Sequence, residues 1–238
     1  MIRRVAVLPN PPLLVSELTG GDDPAAAELR EKCLLVAHSL AAAASTWVVL
    51  GAGAEPAVLG PRVAGTFRGY GVDVRVALGD TADRDFADPA LPLPALVAGL
   101  LREAAAAGDA TVHVVPTDLP QAGCVEAGTA LAESIVGPVG LLVLGDGSHR
   151  HGERSVGRPD DRAAGFDETV RRALATADLD ALLGLDPVLA AELGAGGRAP
   201  WQVLAAAVRA DGRTWRSTRA ELVIPFGVAY HLAVWDPA

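Results

Sequence analysis

Residues 139–153 read VGLLVLGDGSHRHGE: an uninterrupted apolar run enters a loop that carries Asp146, Ser148, His149, His151 and Glu153. A short Val/Leu run with no polar alternation reads as a strand buried on both faces. Its polar outlet lies where open α/β sheets collect ligands, beyond the carboxyl ends of the strands. Working upstream, the same type of run recurs at 111–115, 47–50 and 5–8, and a further strand is predicted at 72–78. Helix-forming stretches separate them. Asp23 followed by Pro24 supplies an N-cap and a first-turn proline for a helix reaching Ala44, and further helices are predicted at 93–107 and 124–135. Buried strands alternating with helices imply an α/β fold with a mostly parallel sheet and helices on both faces.

Downstream of the loop the pattern turns helical, at 166–176, 179–183, 188–193 and 201–210. Two strands close the chain at 213–224 and 228–235, joined by Pro225-Phe226-Gly227, giving a C-terminal strand pair; AYHLAVW at 229–235 alternates as a half-exposed strand would. No 20 to 50 residue repeat and no Gly/Ser linker interrupts the chain, so residues 1–238 are expected to form a single domain.

Twenty basic against twenty-nine acidic residues leave a formal charge of −9, which opposes approach to nucleic-acid backbones and anionic lipid. Neither nucleic acid nor membrane is expected as a partner, whereas association with further copies of the chain stays open. Cys33 and Cys124 form no CxxC pair, which suits a reducing cytoplasm. Pro9, Asn10, Pro11 and Pro12 interrupt the opening before a signal h-region could form, and the apolar stretch 33–54 contains His38, Ser39, Ser45 and Thr46, so it reads as helix plus strand.

Three loops are therefore candidate sites: 9–19, 51–56 and 145–154. Two histidines and two carboxylates in the last could bind a divalent metal or perform acid/base chemistry, or could form a solvated surface loop. His38 is expected to be a buried, hydrogen-bonded helix residue, His113 and His231 structural strand residues, and Cys124 a packing residue. Gly145-x-Gly147 lacks the spacing of a dinucleotide fingerprint.

Five stretches resemble the class III extradiol ring-cleavage dioxygenases, the family of the catalytic subunit of protocatechuate ring-opening enzymes, to which the Memo proteins are related. PNPPLLVSEL at 9–18 resembles its His-Pro-Pro-Leu-Leu opening, and LLVLGDGSH at 141–149 resembles its Gly-Asp-x-Ser-His loop. VHVVPTD at 112–118 before a helix near Cys124, GRAPWQVLAAA at 197–207 and PFGVAYHLAVW at 225–235 follow the family order. The resemblance implies a non-heme Fe(II) held by two histidines and a glutamate, with a third histidine as acid/base. That last role falls on His149. The first ligand position falls on Asn10, the second on the segment Gly51-Ala52-Gly53-Ala54-Glu55, and the glutamate falls near Arg198. An amide, small side chains and a guanidinium make a poor iron site.

The expectation is a divergent family member with a degenerate iron site and no cofactor. It would be non-catalytic or repurposed to bind a small anionic or aromatic molecule through Asn10, Glu55, Asp146, Ser148, His149, His151 and Arg198, with Arg198 as the anion-binding centre. The other reading is a metal-dependent oxidoreductase that opens aromatic diols with dioxygen, holding Fe(II) or another divalent metal at a shifted site around His149 and His151.

Overall fold

A computed structural model describes residues 1–20 and 23–238. The strands are β1 (Ile2–Leu8), β2 (Trp47–Gly53), β3 (Ala57–Leu59), β4 (Ala64–Thr66), β5 (Arg75–Ala77), β6 (Ala110–Pro116), β7 (Val139–Leu144), β8 (Trp215–Val223) and β9 (Tyr230–Pro237). The helices are α1 (Pro24–Ala43), α2 (Leu93–Ala104), α3 (Gln121–Ser134), α4 (Arg162–Thr176), α5 (Leu179–Leu183), α6 (Pro187–Leu193) and α7 (Arg198–Asp211).

Seven strands form one sheet in the order β3-β6-β2-β7-β1-β9-β8. The central four, β6, β2, β7 and β1, run parallel, while β3 and β9 pair antiparallel with β6 and β1. β7 lies between β2 and β1, so the chain steps over its position through α1 and returns to it through α3. This interleaving brings the carboxyl ends of three parallel strands together. Because β9 runs antiparallel to β1, its first residue, Tyr230, reaches the same end of the sheet.

Side-chain parity divides the core. Ala6, Leu8, Leu142 and Leu144 face Leu29, Cys33 and Leu40 of α1 and Leu96 of α2. Val5, Val7, Leu141 and Val143 face Trp201 and Leu204 of α7 and Val170 of α4. Every residue of β7 is buried, as expected of a strand covered on both faces. Each such Leu or Val contributes about 1.5–3 kcal/mol by leaving water. The α1 N-cap also forms: the Asp23 carboxylate accepts from the backbone N–H groups of Ala25 (2.9 Å) and Ala26 (3.1 Å).

Three expectations are corrected. The strand at 72–78 shrinks to β5, which pairs only with β4 in a separate two-stranded sheet packed on α2. The alternation at 229–235 does not mark a half-exposed strand: β8 takes the sheet edge, and residues 230–235 of β9 are all buried. His38 is exposed, because the buried face of α1 runs through Leu29, Cys33, Val36, Ala37 and Leu40 and position 38 falls outside it. Both cysteines are buried free thiols. No helix among the described residues is long and apolar enough to cross a membrane.

Candidate functional site

Pro9 and Pro11 fix the chain around Asn10 as it leaves β1, and a short 3₁₀ turn, Pro12–Leu14, folds it back over the sheet. Two hydrogen bonds tie this loop to the one after β7. Gly145 donates its N–H to the Leu8 carbonyl at 3.0 Å, and Asn10 donates its N–H to Asp146 Oδ1 at 2.7 Å. Between these loops opens a cavity of about 690 Å³. Asn10, Asp146 and His149 supply polar groups, while Tyr70, Phe226 and Tyr230 stand among its aliphatic walls.

Asp146 forms no ion pair with any lysine or arginine among the described residues. Burial pushes its carboxyl up to about 6, with the Asn10 N–H pulling the other way. A carboxyl raised in the folded state stabilises folding in its protonated form. That contribution is full below about 4, the unfolded value, and is lost as pH rises through about 6. At neutral pH the cavity therefore contains an ionised carboxylate without a counter-charge. The same charge, added to burial, raises the Tyr230 phenol.

His149 is set in the wall by its Nδ1, 2.9 Å from the Val156 carbonyl. A carbonyl can only accept, so Nδ1 carries the proton and Nε2 remains the ring's acceptor. Nε2 lies beside Gly194, whose φ of +64° closes α6. A Cβ at position 194 would strike the imidazole. Gly194→Ala is therefore expected to displace the His149 ring and to lower stability by about 1–3 kcal/mol through the left-handed backbone and the collision. Imidazole NMR signals of His149 and chemical denaturation measure the two effects, and unchanged signals would contradict this geometry.

Ser148 and His151 turn away from the cavity. Ser148 is buried, its hydroxyl donating to the Leu193 carbonyl at 2.9 Å and accepting from the Arg150 N–H at 3.1 Å. His151 Nε2 is 2.7 Å from Asp167 Oδ2, and His231 Nε2 is 2.8 Å from Asp167 Oδ1. The Ser148 N–H also donates to Asp167 Oδ2, at 3.2 Å. Asp167 and His231 are fully buried, and the His231 ring meets Trp201 edge-on with centroids 5.3 Å apart. A carboxylate accepts from both imidazoles, so each donates through Nε2–H. His231 Nδ1 has no partner; with the proton on Nε2, only a lone pair is left unmatched there. Gly147 is required beside this knot, since a Cβ there would strike the Asp167 carboxylate.

Arg198 is 3% exposed and does not line the cavity. Its guanidinium donates to the carbonyls of Leu119 and Thr117 (2.9 Å) and to Gln202 Oε1 (3.1 Å), pinning the loop between β6 and α3 to α7. It borders a smaller neighbouring cavity of about 430 Å³. Glu55 is exposed in the connection from β2 to β3 and borders neither cavity.

Of the candidate residues, those that converge on the main cavity are thus one amide, one carboxylate and one imidazole, Asn10, Asp146 and His149, alongside the hydroxyl-bearing Thr117, Tyr70 and Tyr230. His151 and Arg198 are engaged elsewhere. Among the described residues, no group of three or more His, Cys, Asp or Glu side chains is placed to hold a metal ion. This donor set does not fit the iron of the extradiol dioxygenases, which needs two imidazoles and a glutamate. Sequence reasoning did not identify Asp167, Tyr70, Phe226 or Tyr230. For Asp167 a signal existed: it occupies the same helix face as Ala163, Phe166 and Val170, all buried, and an acid in that register needs partners.

No family model matches the chain, and no curated protein matches it. Among solved structures, the uncharacterized protein JW3007 from Escherichia coli K12 superposes with a TM-score of 0.53 at 14% identity, covering 98% of this chain and 99% of that one. The likeness is one of fold.

Proposed function

We propose that this chain is a divergent relative of the class III extradiol dioxygenases that binds a small ligand in the cavity above β1, β2 and β7 and performs no iron-dependent ring cleavage. One observation carries the reading. The strand ends that would supply iron ligands in that family carry Asn10 and Ala52 on the cavity wall, leaving His149 as the only imidazole there. An amide and a methyl group cannot replace imidazoles around Fe(II). The remaining wall has the form of a small-molecule site: concave, mostly apolar, with a few convergent polar groups. The Asn10–Asp146 hydrogen bond joins two of the loops that frame it. A cytoplasmic setting accords with the two buried free thiols.

Anaerobic reconstitution with Fe(II), followed by metal analysis and dioxygen uptake with catechol, tests the proposal. Well under one equivalent of retained iron and no ring-opening above background are expected. Stoichiometric iron together with catechol-dependent dioxygen uptake would overturn it and restore a metal-dependent oxidoreductase.

A further inference from the structure

The geometry points to a ligand that bears a primary ammonium group on an aromatic or branched aliphatic body, held by Asp146 as its counter-charge. This inference rests on the cavity being a ligand site and goes beyond it by assigning the ligand's charge. Among the described residues neither lysine nor arginine lines the cavity, so no cationic side chain there would neutralise an anion. The nearest buried guanidinium, Arg198, is committed to two backbone carbonyls and Gln202. Asp146 lines the cavity; its Oδ1 accepts from Asn10, and its Oδ2 accepts no hydrogen bond among the described residues. His149 Nε2 is a second acceptor, because Nδ1–H is taken by Val156. Two acceptors, one of them charged, call for a donor-rich cation, and an ammonium offers three N–H groups.

The rest of the wall favours the same class. Tyr70, Phe226 and Tyr230 present aromatic surface, and Leu13, Leu93 and Val228 surround it with aliphatic surface. Aromatic rings attract a cation and pack an apolar body equally well. Burial around Asp146 strengthens a direct ion pair, since little water competes with it. The titratable groups facing Asp146 are His149 on its own loop, Tyr230 on β9 and Cys33 on α1, and burial raises the last two, which keeps them uncharged near neutral pH. An anionic ligand would meet an ionised carboxylate and, among the described residues, no lysine or arginine on the wall to offset it. The sequence-based expectation of an anion centred on Arg198 is thereby replaced.

Calorimetry at pH 7.5 with three probes of similar shape tests this: 2-phenylethylamine, 2-phenylethanol and 3-phenylpropionate. The amine is expected to bind about tenfold or more tightly than the alcohol, and the carboxylate most weakly. In Asp146→Asn, which keeps an acceptor for the Asn10 N–H, the preference for the amine over the alcohol should disappear, the two affinities falling within about twofold of each other. Equal binding of amine and alcohol, or an amine preference that survives Asp146→Asn, would overturn the charge assignment and leave the ligand cavity standing. Tightest binding by the carboxylate would have the same consequence. Failure of all three probes to bind would overturn the assignment and the cavity reading together.

Discussion

Asp167→Ala is expected to lower the stability of the folded chain by about 3–5 kcal/mol, the range found when one partner of a buried ionic group is removed. In a domain of this size that corresponds to a Tm lower by roughly 6–20 °C. The loss is large because one carboxylate on α4 serves three donors from two other parts of the chain: His151 and the Ser148 N–H in the loop after β7, and His231 in β9. Deleting it leaves all three buried or nearly so without an acceptor, in a space closed by Trp201 and Gly147. Asp167→Asn should recover only part of the loss, since an amide offers one acceptor oxygen where two are used. Thermal denaturation followed by circular dichroism measures both variants. A Tm within a degree or two of wild type for Asp167→Ala would show that the knot does not hold the loop to the sheet.

Arg198→Met should cost about 2–4 kcal/mol while leaving ligand affinity in the main cavity unchanged within about twofold. The methionine keeps most of the stem volume, so the cost comes from the carbonyls of Thr117 and Leu119 and the Gln202 amide losing their donors. Part of it is offset because a buried guanidinium no longer has to be desolvated. Urea denaturation gives the first quantity and calorimetry with 2-phenylethylamine the second. A stable variant with much weaker binding would reverse the assignment, making Arg198 a ligand contact and not a clamp.

The α/β fold was legible because its strands are covered on both faces: VAVL at 5–8 and VGLLVL at 139–144 have no polar alternation, are too short for helices, and alternate with longer helix-forming stretches. The segment at 72–78 differs: Asp73 and Arg75 alternate with its valines, a pattern that suits a strand covered on one face, and it pairs locally with β4 outside the main sheet. His38 and β9 failed for a different reason: which face is outward depends on neighbours that are distant in sequence. At the site, the loops at 9–19 and 145–154 were correctly brought together, as the Asn10–Asp146 hydrogen bond requires. Spacing could not show that His149 and His151, two positions apart, point to different places, because that depends on Asp167 claiming one of them. Arg198 was similarly ambiguous: a guanidinium near a glycine turn can face a ligand or backbone carbonyls, and only the loop between β6 and α3 decides.

The position of β1 between β7 and β9 also governs when the cavity can come into being. Asn10 follows β1 and Tyr230 opens β9, and the ion pair between these two strands, Arg4 to Asp236, spans 232 positions. Pairings of such separation are slow to form, because the chain loses its loop-closure entropy before the contact repays it. Until β9 docks, β1 has an open edge and the pocket lacks Phe226 and Tyr230, so a chain in which β9 has not yet docked exposes both the unpaired strand and the apolar wall of the cavity. The complete cavity is thus a property only of the finished fold, and the same topology leaves the folding chain vulnerable to aggregation through the edge that later borders that cavity.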